Sequence, residues 1–158
     1  MEIIIDNVRS ASNIGSIFRT SDAFAIDKIY ICGISATPPN KEILKTALGA
    51  TESIDWEYHP STFDLITELK KKDVNTIVAI EQSNNSETLQ NYTPSPSNNI
   101  IIVLGNEVDG VSNDVLNLVN TTIEIPQFGK KKSLNVSVAA GIAIWEIFKK
   151  LNLSKPSI

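Results

Sequence analysis

The 158-residue chain predicts an α/β domain, a mainly parallel sheet with helices on both faces. Three observations lead there. Four short runs are almost continuously apolar and rich in β-branched residues: 2–5 (EIII), 28–33 (KIYICG), 76–80 (TIVAI) and 99–104 (NIIIVL). Strands buried on both faces carry such runs, whereas half-exposed strands alternate. Segments with helical spacing lie between them. The length suits one domain with a full core, and 42% hydrophobic with 20% charged residues is ordinary for a globular protein.

In chain order, residues 2–5 make the first strand and the polar stretch 6–13 its exit loop. Ser12 or Asn13 is expected to cap a helix with Ile14, Ile17, Phe18 and Ser21 inward. Residues 28–33 form the second strand. The stretch 37–40 (TPPN) is a turn, 41–48 suits a short helix and 54–58 a short edge strand. Ser61 caps a helix over 62–72 with Phe63, Ile66 and Leu69 inward. The third central strand is 76–80, and the polar 83–93 has room for one helical turn near Leu89. After a proline turn at 94–98 comes the most apolar strand, 99–104. Residues 105–110 make a glycine-flanked loop, and Ser112 caps a helix through Val119. A last β-branched run, Thr121, Thr122, Ile123 and Ile125, stops at Pro126, because proline cannot donate to a ladder. A basic loop follows, Gly129 with Lys130, Lys131 and Lys132. Ser133 and Asn135 then open a long apolar helix, whose start is suited to an anion or a polar ligand.

Composition excludes several classes. A single Cys32 rules out a disulfide framework and a multi-cysteine zinc site, and the sole histidine, His59 before Pro60, supplies no triad or metal site. No metal is expected. No apolar stretch approaches membrane-spanning length, and the first residues lack the basic flank of a signal peptide. A cytoplasmic protein without a membrane partner is the expectation. Net charge of −4 opposes indiscriminate nucleic-acid binding but allows a local basic patch. Both arginines, Arg9 and Arg19, fall in the first twenty residues, and the rigid guanidinium fork suits positioned anion contacts.

Ligands of open parallel sheets sit beyond the carboxyl ends of the strands. Three loops with distinctive chemistry leave such ends: 6–19, 105–110 and 126–135. The first carries Asn13, Gly15 and, about one and a half turns further on, Arg19. The second carries Glu107 between Gly105 and Gly110, with spacing that fits neither a dinucleotide fingerprint nor a phosphate loop. Singly, each has a plain structural explanation: a surface arginine, a glycine turn, a capped helix.

Together the blocks NxxSIFRTSDAF, IIVLGNEVDGVS and IPQFGKKKSLNVSVAAGIA resemble the three signature motifs of the SpoU/TrmH family of RNA ribose methyltransferases, in order and over nearly the whole chain. Gln127 stands where the family often has Met, and Ala25 where it often has Gly. The resemblance implies a homodimer and a deep C-terminal trefoil knot, the knot being something that composition and periodicity would not suggest. The implied cofactor is S-adenosylmethionine, held by Ile80, Leu104, Gly105, Ile125, Ser133 and Leu134. Arg19 matches the catalytic arginine, with Asn13, Ser133 and Asn135 beside it and Glu107 organising the second loop. RNA would meet Arg9, Arg19, Lys130, Lys131 and Lys132, with Lys41 and Lys45 as further candidates. A single catalytic domain without a separate RNA-binding domain is expected, acting on tRNA, with rRNA as the competitor. A non-catalytic RNA-binding protein on the same fold, a knotted methyltransferase acting on a base nitrogen and an unrelated nucleotide-binding module are the other readings. Two apolar stripes on the final helix favour a dimer independently: Leu134, Val138, Ile142, Trp145 and Phe148, and Val136, Ala140, Ala143, Ile147 and Leu151.

Overall fold

The computed structural model describes residues 1–73 and 75–153. Strands β1 (Glu2–Asp6), β2 (Lys28–Cys32), β3 (Asp55–His59), β4 (Asn75–Ile80), β5 (Glu87–Thr88), β6 (Asn99–Leu104) and β7 (Thr121–Glu124) form one sheet, ordered β3-β2-β1-β6-β4-β7-β5. Every neighbouring pair in it is parallel. Central β1 pairs with β2 on one side and β6 on the other, so Glu2 lies opposite both Lys28 and Ile101.

Helices α1 (Ala11–Ala23), α2 (Lys41–Ala47), α3 (Ala50–Ser53) and α6 (Val136–Leu153) cover one face, and α4 (Thr62–Leu69) and α5 (Asn113–Leu116) the other. The two-residue period of a strand explains how one apolar run serves both layers. Ile3 and Ile5 of β1 join the α1–α6 core, and Ile4 joins the α4–α5 core. Each fully buried isoleucine is worth roughly 1.5–3 kcal/mol over an exposed one. Gly15 lets α1 approach α2 closely, since a Cβ there would collide with Thr46 Oγ1 and the Ile43 carbonyl.

The expected strands all form, within a residue or so of their bounds. Several helix expectations need correction. Ser10, not Ser12 or Asn13, caps α1: its hydroxyl accepts from Asn13 N at 3.3 Å. The helix over 62–72 ends at Leu69, and its buried side is Leu65, Ile66 and Leu69 with Phe63 exposed. Ser61 caps it as expected, its Oγ accepting from Asp64 N at 3.2 Å, and the 3.6-residue period puts Thr62, Leu65, Ile66 and Leu69 on one stripe with residue 63 off it. The helix after Ser112 stops at Leu116, and Ser112 makes no side-chain cap bond. Beside Leu89 stands the two-residue β5 in place of a helical turn. Asn135 alone opens the last helix, accepting from Ser137 N at 2.9 Å; Ser133 lies in the preceding loop.

Candidate functional site

The loops leaving β1, β6 and β7 meet around one carboxylate. After β6 the chain turns back tightly. A Cβ on Gly105 would stand 2.5 Å from both Gly110 C and Val111 N, so only glycine fits there. Asn106 closes the loop: its side-chain oxygen accepts from Val108 N at 2.8 Å and Asp109 N at 3.2 Å. Its amide donates to the Asn7 carbonyl at 2.6 Å, tying the loop to β1's exit. The loop thereby presents Glu107 to the chain entering α1. Glu107 Oε2 accepts from Arg9 N at 2.8 Å, and Oε1 accepts from Ser10 N at 2.9 Å and Asn13 Nδ2 at 3.0 Å. Asn13 Oδ1 in turn accepts from Asn135 Nδ2 at 3.1 Å, which brings in the third loop. Capping by Ser10 leaves the Asn13 side chain free for both contacts.

Partial burial alone would raise the Glu107 carboxyl. The N–H groups of Arg9, Ser10 and Glu107 itself, with the Asn13 amide, outweigh that and hold it below the usual carboxylate range. Glu107 is therefore a fixed anion near neutral pH. It anchors loops; a proton donor it is not.

Beyond the carboxyl ends of β4, β6 and β7 lies an open cleft of about 190 Å³. All six residues expected to hold a cofactor line it: Ile80, Leu104, Gly105, Ile125, Ser133 and Leu134. Glu81, Gln82, Glu107, Gln127 and Lys132 add polar groups to its lining. Apolar walls with exposed polar edges suit a flat heteroaromatic ring, and carboxylates at the margin suit a cationic tail.

Sequence reasoning missed Glu81 and Asn106. Glu81 follows directly on β4, and its Oε2 accepts from Val111 N at 3.0 Å, bracing the β6 exit loop from the far side. A carboxylate one residue past a strand's carboxyl end is the signal that could have found it.

Arg19 stands apart. Its side chain is exposed, it does not line the cleft, and it makes no hydrogen bond or ion pair among the described residues. Six positions beyond Asn13, it lies roughly a third of a turn off that residue's direction on α1. Within one chain the structure joins Asn13, Glu107 and Asn135 and leaves Arg19 facing outward. Arg9 gives its backbone to Glu107, while its guanidinium sits 4.0 Å from Asp109 on the surface. Lys130 and Lys131 are exposed outside the cleft.

The final helix divides mostly along its two stripes. Val136, Ala140, Ala143 and Ile147 are buried and Leu151 half-buried, whereas Val138, Ile142 and Trp145 are exposed, Trp145 by 51%. Phe148 is half-buried, and Leu134 is exposed in the loop before the helix. Phe24 at the end of α1 packs its ring against Trp145 and Phe148, with centroids 5.7 and 5.4 Å away.

Residues 1–145 match the family model described as the SpoU rRNA Methylase family. A Staphylococcus aureus protein described as a TrmH family tRNA/rRNA methyltransferase is 32% identical over 148 residues, 94% of this chain and 58% of its own. The chain thus spans under two thirds of the curated relatives it matches. Among solved structures, the AdoMet-bound rRNA methyltransferase of Sinorhizobium meliloti superposes with a TM-score of 0.86 at 26% identity, covering 94% of this chain and 55% of that one. The A. aeolicus TrmH/SpoU tRNA modifying enzyme gives 0.83 at 28% identity, over 99% and 79%.

Proposed function

The chain belongs to the SpoU methylase family, and from that footing we propose that it transfers a methyl group from S-adenosylmethionine to a ribose 2′-hydroxyl of RNA. One observation carries this: the six cleft residues and the Glu107–Asn13–Asn135 network lie together at the carboxyl ends of the strands. The cleft's chemistry fits the cofactor: Ile80, Leu104, Ile125 and Leu134 would supply apolar walls for its adenine, and Gly105 and Ser133 would offer backbone groups to its polar atoms. When bound, the cofactor supplies an electrophilic methyl on a sulfonium.

The remaining work falls to the chain. A 2′-hydroxyl must lie in line with the methyl, so that the O–CH3 bond forms as the S–CH3 bond breaks, and its proton passes to solvent water. Arginine is always protonated in proteins and cannot take that proton. Arg19 instead holds the phosphate beside the target ribose and stabilises the developing alkoxide. Glu107 fixes the entry to α1, and Asn13, Asn135 and Ser133 orient the ribose, so that positioning lowers the barrier. Lys130, Lys131 and Lys132 add phosphate attraction that weakens with salt.

An outward Arg19 makes best sense in a homodimer, where it reaches the partner subunit's cleft. The apolar stripe of Leu134, Val138, Ile142 and Trp145 supplies the interface. A C-terminal trefoil knot is part of the same proposal. Supporting it, β7 inserts between β4 and β5, and Lys150 Nζ of α6 donates to the carbonyls of Leu89, Gln90 and Tyr92 at 2.7–2.9 Å. The favoured substrate is tRNA, in line with the likeness to the A. aeolicus tRNA modifying enzyme, of which the chain covers 79%.

Labelled S-adenosylmethionine, offered with total tRNA and separately with unmodified 23S and 16S transcripts, tests both chemistry and substrate. Label is expected as 2′-O-methyl nucleoside in tRNA. Label confined to ribosomal transcripts overturns the substrate, and label on a base nitrogen overturns the acceptor. Arg19→Ala is expected to lose transfer by at least about a hundredfold. Cofactor affinity by calorimetry should stay within a few-fold; its collapse in a folded variant would refute the role given to Arg19.

A further inference from the structure

Phe128 is 94% exposed, the highest value of any large hydrophobic residue among those described. It sits in the loop between β7 and α6, beside Gln127, which lines the cleft. Gly129 follows with open space where a side chain would be. Lys130, Lys131 and Lys132 come next; all three are exposed, and none takes part in an ion pair among the described residues. Lys132 returns to the cleft wall. An exposed ring alone is ordinary; one followed at once by three exposed, unpaired lysines at a cleft rim is a combined aromatic and cationic surface.

We infer that Phe128 is a positioning residue that stacks on an unpaired base next to the target nucleotide, with the neighbouring lysines on the flanking phosphates. This rests on the RNA reading proposed above. The chemistry selects the occupant. Three unpaired cations within four residues of the ring resist burial in an apolar protein interface, since desolvating them is costly. They match a polyanion, and in a chain of net charge −4 they form a local patch rather than a general one. Aromatic faces interleaved with lysines are the common means of holding single-stranded RNA, because every base offers a π-face. Where the target ribose lies in a single-stranded loop, its neighbouring bases are unstacked and offer their faces to such a ring. The ring stands at the rim and the lysines run from it back to the cleft, so one loop can hold both base and backbone.

The test uses the full chain with a short fluorescein-labelled oligouridine and an unmodified tRNA transcript. Affinity is read by anisotropy without cofactor, and turnover with labelled S-adenosylmethionine. Phe128→Ala is expected to weaken RNA binding and raise the KM for RNA about tenfold, with kcat and cofactor affinity within twofold. Phe128→Tyr and Phe128→Trp should restore binding, and Phe128→Leu should not. Equal binding by the Leu variant, or no change in the Ala variant, overturns the inference. So does loss of the dimer in Phe128→Ala by sedimentation, which would assign the ring to a contact between copies. A wild-type chain that binds RNA through Phe128 but transfers no label defeats the proposed activity and leaves the stacking role standing.

Discussion

Glu107 shows how much one side chain can organise. Its two oxygens reach donors 94 to 98 residues earlier in the chain. In Glu107→Gln the new amide nitrogen cannot accept, so at least one of the three donors loses its partner. Because the carboxylate is largely solvent-exposed, the expected stability loss is small, about 1 kcal/mol in a urea titration. The local effect should be larger: amide exchange at Arg9 and Ser10 is expected to accelerate, read by hydrogen exchange. The pH dependence follows from the lowered carboxyl. A group that titrates lower folded than unfolded stabilises fully above the unfolded range, near pH 4, and that contribution disappears as pH falls through the folded value. Protection at Arg9 and Ser10 should therefore fade below about pH 4 in the wild type. The Gln variant should have no such step. A step of equal size in both would remove Glu107 from this role.

At the scale of the element, the end of α1 carries a local conflict. Phe24 closes the helix, Ala25 N donates to the Asp22 carbonyl at 3.1 Å and Ile26 N to the Ser21 carbonyl at 3.0 Å. That pair of bonds needs a left-handed residue at position 25, and Ala25 sits at φ 50°. Alanine is strained there where glycine is not. Ala25→Gly is expected to stabilise the fold by about 0.5–1 kcal/mol, raising Tm by roughly 1–4 °C in calorimetry. An unchanged or lower Tm would mean that the extra freedom of the unfolded glycine outweighs the relief. The strands were legible because an apolar run of β-branched residues has few other fates. Helix ends were less so. Ser10, Ser12 and Asn13 all suit a cap, and only contact with the distant Glu107 decides that Asn13 is used otherwise. The two-residue β5 and four-residue α3 carry too few positions to set a period. Of the site, the cleft residues were accessible through family resemblance, whereas Glu81 and Asn106 act by bracing loops; the outward side of Arg19 was legible, because the inward set Ile14, Ile17, Phe18 and Ser21 fixes the phase of α1.

The whole molecule leaves one face of α6 uncovered in a single chain, and that face carries the dimer prediction. Light scattering at micromolar concentration is expected to give a dimer, and Ile142→Glu a folded monomer whose transfer activity falls with the dimer. A monomeric wild type would exclude the shared site proposed for Arg19. The same scale reveals what the sheet order means in time. One edge of β1 is satisfied early by β2, but the other waits for β6, whose Ile101 lies opposite Glu2. At ordinary ribosomal rates the intervening residues take about 5–20 s to emerge. Throughout that interval Ile3, Ile4 and Ile5 present an apolar strand with one open edge to everything nearby. What becomes a fully paired, buried strand of the finished protein is, during its synthesis, the strand that waits longest for its second neighbour.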